Sequence, residues 1–226
     1  MTQLYGYVND ANLQYASDGS SIAVQATKRG ELRVVDFYTQ MALQGRAFQI
    51  KAGTIATGVA MDSVVTDTAA EGSIDAAAGT TIIPVQFQMD FANIATATTV
   101  KVRIKAVGVV SSAGTAFVPL PLLQGGNAAV STARVANNGG VTVTGELATT
   151  TRMLFSYQDV DTETPTTDTT GGGGGVGMAI TAAAWQPRLP YVGKGAACVY
   201  VQAGATTAFP LYFFTLDYIE IPSVNL

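Results

Sequence analysis

Hydrophobic and polar residues alternate along several short stretches of the chain, which is the pattern of β-strands that bury one face. The clearest stretch is VKVRIKAVGVV, residues 100–110. From Val100 to Ala106 every second residue is apolar, and from Lys101 to Lys105 the residues between them are basic. We therefore expect a strand with one face in the core and the other face in water or against a partner.

A second alternating stretch, TIIPVQFQM at residues 81–89, predicts another strand. Proline donates no backbone hydrogen bond and is found in strands mainly at edges. Pro84 therefore indicates that this strand begins there or lies at the edge of its sheet. Strict alternation along the stretch places four apolar side chains on one face: Ile83, Val85, Phe87 and Met89.

Eight more segments have the composition of strands, and Gly- or Asn-containing turns separate many of them. About ten short strands of this kind predict an all-β sandwich or barrel. The Asn-Gly pair within ANNGG, residues 136–140, is a strong hairpin signal and predicts that the strands on either side of it pair. The eight segments are residues 21–26, 32–35, 47–54, 128–135, 140–147, 152–160, 196–203 and 209–221.

One segment has the signals of a short helix. In DFYTQMALQGR, residues 36–46, Asp36 can cap the helix and Gly45 can end it, while Phe37 and Met41 lie one turn apart. The segment at 113–126 is expected to be extended, because two prolines keep the residues before them out of the helical region.

Composition limits the kinds of partner that the chain can bind. Only 12% of its 226 residues are charged, and such a bland surface is typical of proteins that are covered by copies of themselves or by a partner. The net charge of −4 argues against nucleic acid, which needs a basic face. No apolar stretch reaches the length of a membrane helix, and no secretory signal is visible, so we expect a soluble protein. The lone Cys198 lies in an apolar alternating run and predicts a buried thiol.

The glycine-rich segment TETPTTDTTGGGGGVGMA, residues 162–179, resembles a phosphate-binding loop only superficially. The dinucleotide fingerprint requires a strand that runs directly into the turn and an acidic residue about 20 positions later. Here the next acidic residue after Asp168 is Asp217, and about ten polar residues separate the glycines from the preceding strand. We therefore interpret residues 161–177 as a flexible surface loop.

Alternating carboxylates precede the glycines, and such residues can bind calcium. The EF-hand pattern would need glycine at position 164 and glutamate at position 170, and both are threonine. Hydration of a surface loop is the favoured interpretation, and calcium in another geometry stays open. The carboxylates are Asp159, Asp161, Glu163 and Asp168.

The complete absence of histidine removes the usual catalytic arrangements. Serine–histidine–aspartate and cysteine–histidine sites, as well as histidine-based zinc sites, cannot form within this chain. A pair of carboxylates could still serve a glycosidase, but no spacing singles one out among 16 acidic residues. We expect a protein that is not an enzyme and that needs no cofactor.

Two aromatic segments are candidates for partner contacts. Leu4, Tyr5 and Tyr7 lie in LYGYV, which predicts either an edge strand or part of an N-terminal arm, residues 1–20, that docks on a neighbouring subunit. The remaining residues, 21–226, are then the β-sandwich domain. The only tryptophan, Trp185, lies in a proline-rich segment and is expected to be a core or interface residue.

The segment KRGELRVVDFYTQMALQGRAFQIKAGTIATGV, residues 28–59, resembles structural proteins of tailed-bacteriophage virions. The family it is similar to is the jelly-roll auxiliary proteins, also called cement or decoration proteins. The resemblance implies an all-β, jelly-roll-like sandwich with one short helix and an extended N-terminal arm. It also implies a homo-oligomer, with a trimer favoured, that binds the major capsid protein on the outside of the shell in virions assembled in the host cytoplasm.

Three other functions stay open from the sequence. A head-fibre or receptor-binding module would recognise host glycan, and it would need Trp185 and several tyrosines exposed together in a groove. An enzyme acting on glycans would use two carboxylates. A major capsid protein is the third, although the chain is short for that fold and lacks its long helix.

Overall fold

The computed structural model describes residues 36–54, 56–92, 98–144, 151–161, 182–187, 189–206 and 210–223. The predicted arm at 1–20, the predicted strands at 21–26 and 32–35, and residues 162–177 of the predicted loop lie outside these ranges. The one helix among the described residues is α1 (Phe37–Leu43). The strands are β1 (Ala47–Ala52), β2 (Val59–Ala60), β3 (Ala69–Ala70), β4 (Gly72–Asp75), β5 (Thr80–Ala92), β6 (Thr98–Val107), β7 (Ser112–Ala113), β8 (Thr115–Phe117), β9 (Leu120–Pro121), β10 (Thr132–Val135), β11 (Val141–Thr142), β12 (Arg152–Asp161), β13 (Ala182–Trp185), β14 (Gly193–Lys194), β15 (Cys198–Ala205) and β16 (Leu211–Pro222).

The strands form three antiparallel sheets. A seven-stranded sheet has the order β13-β5-β16-β1-β9, with β14 also on β5 and β2 also on β16. A six-stranded sheet has the order β12-β6-β15-β4-β10-β8, and a small third sheet has the order β3-β11-β7. The prediction of an all-β protein with a single short helix is confirmed for the described residues.

The order of the long strands is that of a jelly roll. Taken along the chain, the first strand pairs with the last, β1 with β16, and the second with the second-to-last, β4 with β15. The next two pairs are β5 with the interrupted strand β13–β14, and β6 with β12. Successive pairs alternate between the two large sheets, which makes the double Greek key of a jelly-roll sandwich.

One hydrophobic core fills the space between the two large sheets. The seven-stranded sheet contributes Phe87, Phe214 and Leu216, and the six-stranded sheet contributes Ile104 and Val201. All five are buried. Strands from both halves of the sequence are neighbours in each sheet, so the core is built from the whole described chain rather than from one half.

A bulge in β5 overturns the predicted common face of its apolar residues. Gln86 lies opposite Asp217, but Pro84 lies opposite Tyr218, so Val85 is an extra residue on β5. The extra residue reverses the in–out alternation. Phe87 and Met89 therefore face the core between the two large sheets, and Ile82 lies in the same core. Ile83 and Val85 lie on the opposite face of the sheet, towards the helix.

Pro84 lies at a local gap in the sheet, although β5 as a whole is an interior strand. The strand begins at Thr80, so the prediction that it begins at Pro84 is wrong. On the side of β5 that faces away from β16, β14 pairs with Thr81 and Ile82. On the same side, the pairing with β13 begins at Phe87, which lies opposite Trp185. Within the described chain no strand pairs with residues 83–86 on that side, which leaves room for a proline and a bulge.

The predicted helix is present and lies on the outer face of the seven-stranded sheet. Asp36 caps it by accepting a hydrogen bond from the Thr39 N–H at 3.0 Å, and Gly45 adopts a φ of +68°, which turns the chain into β1. Met41 is the buried residue of the helix and packs on Ile219 and neighbouring side chains of the sheet.

The Asn-Gly turn forms, but the strands beside it do not pair. Asn138 and Gly139 both have positive φ, and the Gly140 N–H donates to the Asn137 carbonyl at 3.1 Å, which is the geometry of a type I′ turn. The preceding strand, β10, belongs to the six-stranded sheet, whereas the following strand, β11, belongs to the small sheet. The predicted hairpin is therefore wrong, and the turn instead carries the chain from one sheet to another.

Part of the outer face of the six-stranded sheet, around β15, is covered by the chain itself. Residues 61–71, which we call the strap, cross this face, and they include β3, through which the strap joins the small sheet. Lys105, expected on a wet or partner-bound face, is only 5% exposed, and its Nζ lies 2.5 Å from the Asp67 carboxylate of the strap. The strand prediction for β6 is confirmed, but its basic face is partly buried within the same molecule.

Candidate functional site: an aliphatic surface beside the helix

Five large aliphatic residues are exposed close to the helix, and we call them the aliphatic surface. They are between 39% and 58% exposed, although all are of types that are usually buried. Contiguous exposed apolar surface of this kind is typical of a site that contacts another molecule. The residues are Leu43, Val118, Leu120, Leu122 and Leu123.

Pairing of β9 with β1 brings these residues together. Leu120 lies opposite Gln49, and the Leu122 N–H donates to the Ala47 carbonyl at 2.9 Å. The side chain of Leu123 comes within 3.7 Å of the position that a Cβ would take on Gly45, in the turn that follows Leu43. The 118–123 segment is therefore fixed against the start of β1 and the end of α1.

The local sequence explains why this segment lies at the edge and stays uncovered. In VPLPLL, residues 118–123, Pro119 and Pro121 cannot donate to a further strand. Among the described residues β9 pairs only with β1, so its outer side is a free edge of the seven-stranded sheet. The leucines cannot all turn inward on such a short strand, and their side chains remain in contact with water.

A groove of about 300 Å³ adjoins the aliphatic surface. It lies between the α1–β1 turn and the end of β16, and it carries one basic and one acidic residue, Arg46 and Glu220. The Glu220 carboxylate accepts hydrogen bonds from the backbone N–H groups of Val130, at 2.9 Å, and Ser131, at 2.5 Å. These bonds hold the 128–131 segment against β16 and give the groove a defined wall.

The wall of the groove is also tied to the core. The hydroxyl groups of Ser131 and Tyr218 lie 2.5 Å apart, and both residues are buried. Burial raises the pKa of Tyr218, while its hydrogen bond with Ser131 acts in the opposite direction, so the phenol stays neutral. The wall of the groove is therefore anchored to the core, and the Glu220 carboxylate that lines it is already used in hydrogen bonds within the protein.

The predicted contact residue Trp185 lies in β13, at the opposite edge of the seven-stranded sheet from β9 and the aliphatic surface. It pairs with Phe87 and is half-buried, and its ring centre lies 6.5 Å from that of Phe155. The indole ring therefore packs against the margin of the core. Contact of Trp185 with a partner stays a prediction, as does contact by Leu4, Tyr5 and Tyr7, which lie outside the described residues.

Two of the buried titratable groups outside the groove, Asp75 and Cys198, have surroundings that indicate a structural role. Asp75 accepts hydrogen bonds from the Ser111 N–H at 2.7 Å and hydroxyl at 2.8 Å, and from the Arg134 Nε at 3.3 Å. Burial raises the pKa of Asp75 and, more strongly, that of the Cys198 thiol. A thiol that is both buried and protonated is a poor nucleophile. The prediction that Cys198 is a buried thiol is confirmed.

Calcium binding by the acidic segment stays a prediction. The backbone of Asp159 and Asp161 lies at the end of β12, whereas Glu163 and Asp168 lie outside the described residues. Over the part of the chain that is described, no group of three or more histidine, cysteine, aspartate or glutamate side chains is placed to bind a metal ion.

The aliphatic surface was missed by sequence reasoning, although a signal for it exists. The stretch VPLPLL has no polar residue, and its two prolines argue against an interior strand. An apolar run that cannot enter the sheet interior is a candidate for exposure. The sequence pattern alone placed it only as an extended segment.

No helix in the described ranges is long and apolar enough to cross a membrane. Comparison with protein-family models, with curated protein sequences and with solved structures found no match to this chain.

Proposed function

We propose that this protein is a structural component of a bacteriophage virion, namely a capsid cement or decoration protein that binds the assembled shell and stabilises it. The observation that carries the proposal is the aliphatic surface on a jelly-roll body. Jelly rolls are a recurring architecture of viral capsid proteins, and they act there through their surfaces. Fold alone does not imply function. The proposal therefore depends on the aliphatic surface and on measurements of oligomeric state and shell binding.

Contact between subunits would explain why the leucines are exposed. Covering a leucine side chain contributes about 1.5–3 kcal/mol relative to leaving it in water. Several such residues per subunit form the apolar centre that a stable interface needs, and the groove beside them adds shape. A homo-oligomer, with a trimer favoured, would combine weak contacts to the shell by multivalency. Each copy that binds only the assembled shell stabilises it by mass action.

The oligomeric state tests the first half of the proposal. We expect light scattering to give the mass of an oligomer for the purified protein and that of a monomer for the double variant Leu43→Ser/Leu122→Ser. The matched control is Val110→Ser/Met153→Ser, which removes two equally exposed apolar side chains elsewhere and should remain oligomeric. Oligomers that persist unchanged in the Leu43/Leu122 variant would exclude the aliphatic surface as the subunit interface.

Binding to shells tests the second half. Shells assembled from the major capsid protein of the same phage should sediment together with the wild-type protein, whereas unassembled capsid subunits should not. We expect decorated shells to resist heat or denaturant better than bare shells. A protein that neither binds these shells nor changes their stability would not be a decoration protein, whatever its oligomeric state.

A further inference from the structure

The strap completes the hydrogen bonding of β15 where its neighbouring strand ends. The β4 strand pairs with β15 only from Cys198 to Val201. Beyond that point the Glu71 N–H donates to the Val201 carbonyl at 2.9 Å, and the Ala205 N–H donates to the Asp62 carbonyl at 3.0 Å. Between these two bonds the Ala203 N–H donates to the Glu71 carboxyl group at 2.6 Å.

Other polar contacts hold the rest of the strap on the same face. The Gln202 amide donates to the carbonyls of Thr66 and Ala69, and Lys105 pairs with Asp67. Gly204 allows the strap to come close, since a Cβ there would lie 2.9 Å from the Val65 nitrogen. The strap is therefore attached by polar groups as well as by Met61 and Ala70, which lie in buried apolar clusters. The Glu71 carboxyl group is the most deeply buried of its acids.

The surroundings of Glu71 suit a neutral acid and not a carboxylate. The residue is 1% exposed, and its Oε1 atom has no hydrogen-bond partner within the described structure. The titratable groups that act on it are Asp62 of the strap, which has the same sign, and Tyr212 of β16, whose buried hydroxyl is also without a partner in the described chain. No lysine or arginine is among the groups that shift its pKa. Burial, as the largest cause, raises the pKa of Glu71 to about 8.

We propose that Glu71 is a protonation-controlled latch, which holds the strap on β15 while the carboxyl group is neutral and loosens it when the group ionises. An ionised Glu71 would lie away from water and would face the charge of Asp62, and the backbone N–H groups that favour the charged form, chiefly that of Ala203, do not outweigh its burial. In a loosened strap the side chain is hydrated and regains its ordinary acidity. Opening is therefore coupled to the loss of one proton. This inference does not depend on the proposed function.

Hydrogen exchange at the Ala203 and Ala205 amides measures the latch directly. After correction for intrinsic exchange rates, we expect the opening equilibrium of these amides to rise about tenfold per pH unit between about pH 5.5 and about pH 7.5. The Glu71→Gln variant, which keeps an acceptor for the Ala203 N–H, should show no such rise. Glu220→Gln removes the other glutamate that is buried among the described residues, and it should leave the pH profile of the Ala203 and Ala205 amides unchanged. A wild-type profile that matches the Glu71→Gln profile would overturn the proposal.

The single cysteine provides a second measurement that does not require amide assignments. Cys198 and Ala70 of the strap belong to the same buried cluster, so loosening of the strap should expose the thiol. We expect its labelling by a thiol reagent to accelerate with pH more steeply in wild type than in Glu71→Gln.

If Glu71→Gln does not fold, the Asp62→Asn variant tests the same proposal. It removes the like charge that raises the pKa of Glu71. The rise in the opening equilibrium should therefore level off at a lower pH than in wild type. An unchanged profile in Asp62→Asn, together with wild-type labelling that only follows ordinary thiol ionisation, would exclude the latch.

Discussion

The outer faces of the two large sheets differ in what covers them. On the six-stranded sheet the strap and the small sheet cover the outer face around β15, and even Lys105 is buried there by a segment of the same chain. On the seven-stranded sheet α1 covers one part, and the aliphatic surface beside it stays exposed. The comparison shows that apolar character alone does not decide what is covered. The covered face combines polar contacts of the strap with a buried apolar cluster beneath the small sheet, whereas the exposed region is rich in leucine.

The difference suggests distinct roles for the two faces. A face that the chain covers itself contributes to the stability of the monomer, and substitutions there should act on unfolding. An exposed aliphatic surface contributes little to the monomer, and substitutions there should act on association.

Replacing Tyr200, the largest side chain in the cluster beneath the small sheet, should cause the largest loss. Tyr200→Ala leaves a cavity in a fully buried site, and we expect a loss of about 3–5 kcal/mol in the free energy of unfolding. Urea denaturation of the monomeric protein measures it, with Leu122→Ala as the exposed counterpart. A loss of similar size in both variants would mean that the two faces do not differ in their contribution to the monomer.

Stability should fall as the pH rises, and Glu71 should be a principal cause. The unfolded chain loses the Glu71 proton near its ordinary pKa of 4.5, whereas the folded protein keeps it up to about pH 8. Below 4.5 both states hold the proton and the contribution is complete. Between these values the folded state binds more protons, so we expect a loss approaching about 1.4 kcal/mol per pH unit.

Urea denaturation of wild type and Glu71→Gln at about pH 5.5 and about pH 7.5 isolates this effect. The variant should be less sensitive to pH, but it should keep a residual dependence of the same sign, since burial also raises the pKa of Asp75. Equal slopes in the two proteins would show that Glu71 titrates normally in the folded state.

The close approach of the strap to β15 should depend on Gly204. In Gly204→Ala the new Cβ would lie 2.9 Å from the Val65 nitrogen, and the backbone must move to relieve the contact. We expect a loss of about 1–3 kcal/mol, as is usual for overpacking. Gly108→Ala is the matched control, because a Cβ at Gly108 meets no atom within 4 Å. A Gly204→Ala protein as stable as the Gly108→Ala protein would place the strap farther from β15 than described.

Polar substitution of the aliphatic surface should have the smallest effect on the monomer. For Leu43→Ser/Leu122→Ser we expect a change of no more than about 0.5 kcal/mol per site in the free energy of unfolding at concentrations where the protein is monomeric. The measurement is urea denaturation at low protein concentration beside Val110→Ser/Met153→Ser. A loss comparable to that of Tyr200→Ala would assign the leucines to the core of the monomer.

Local sequence signals predicted the elements of the fold well. The alternation from Val100 to Ala106, the cap at Asp36 and the turn at Asn138 and Gly139 each depend on a few neighbouring residues, and each is present. The predicted strand at 128–135 is shorter than expected, since only Thr132–Val135 is paired. The jelly-roll architecture came from a resemblance to a protein family, because no local pattern encodes which strands pair.

Local sequence patterns did not identify the aliphatic surface as the candidate site. Leu4, Tyr5, Tyr7 and Trp185 were chosen because aromatic residues are common at interfaces. The aliphatic surface instead consists of leucines and valine that a non-local pairing, β9 with β1, gathers beside the helix. The buried acid Glu71 was also not identifiable, since its burial depends on the strap, β15 and β16 together.

The sequence by itself therefore determined where strands, the helix and turns form, because these follow from side-chain alternation, capping and backbone preferences within a few residues. Only the tertiary structure decided the rest. The extra residue at Val85 reversed one face of β5, and the strands beside the Asn-Gly turn joined different sheets. The strap buried Lys105 and Glu71, while the leucines at 118–123 remained outside. The physical reason is that pairing and burial are set by contacts between residues far apart in the chain, and such contacts leave no periodic signal in the local sequence.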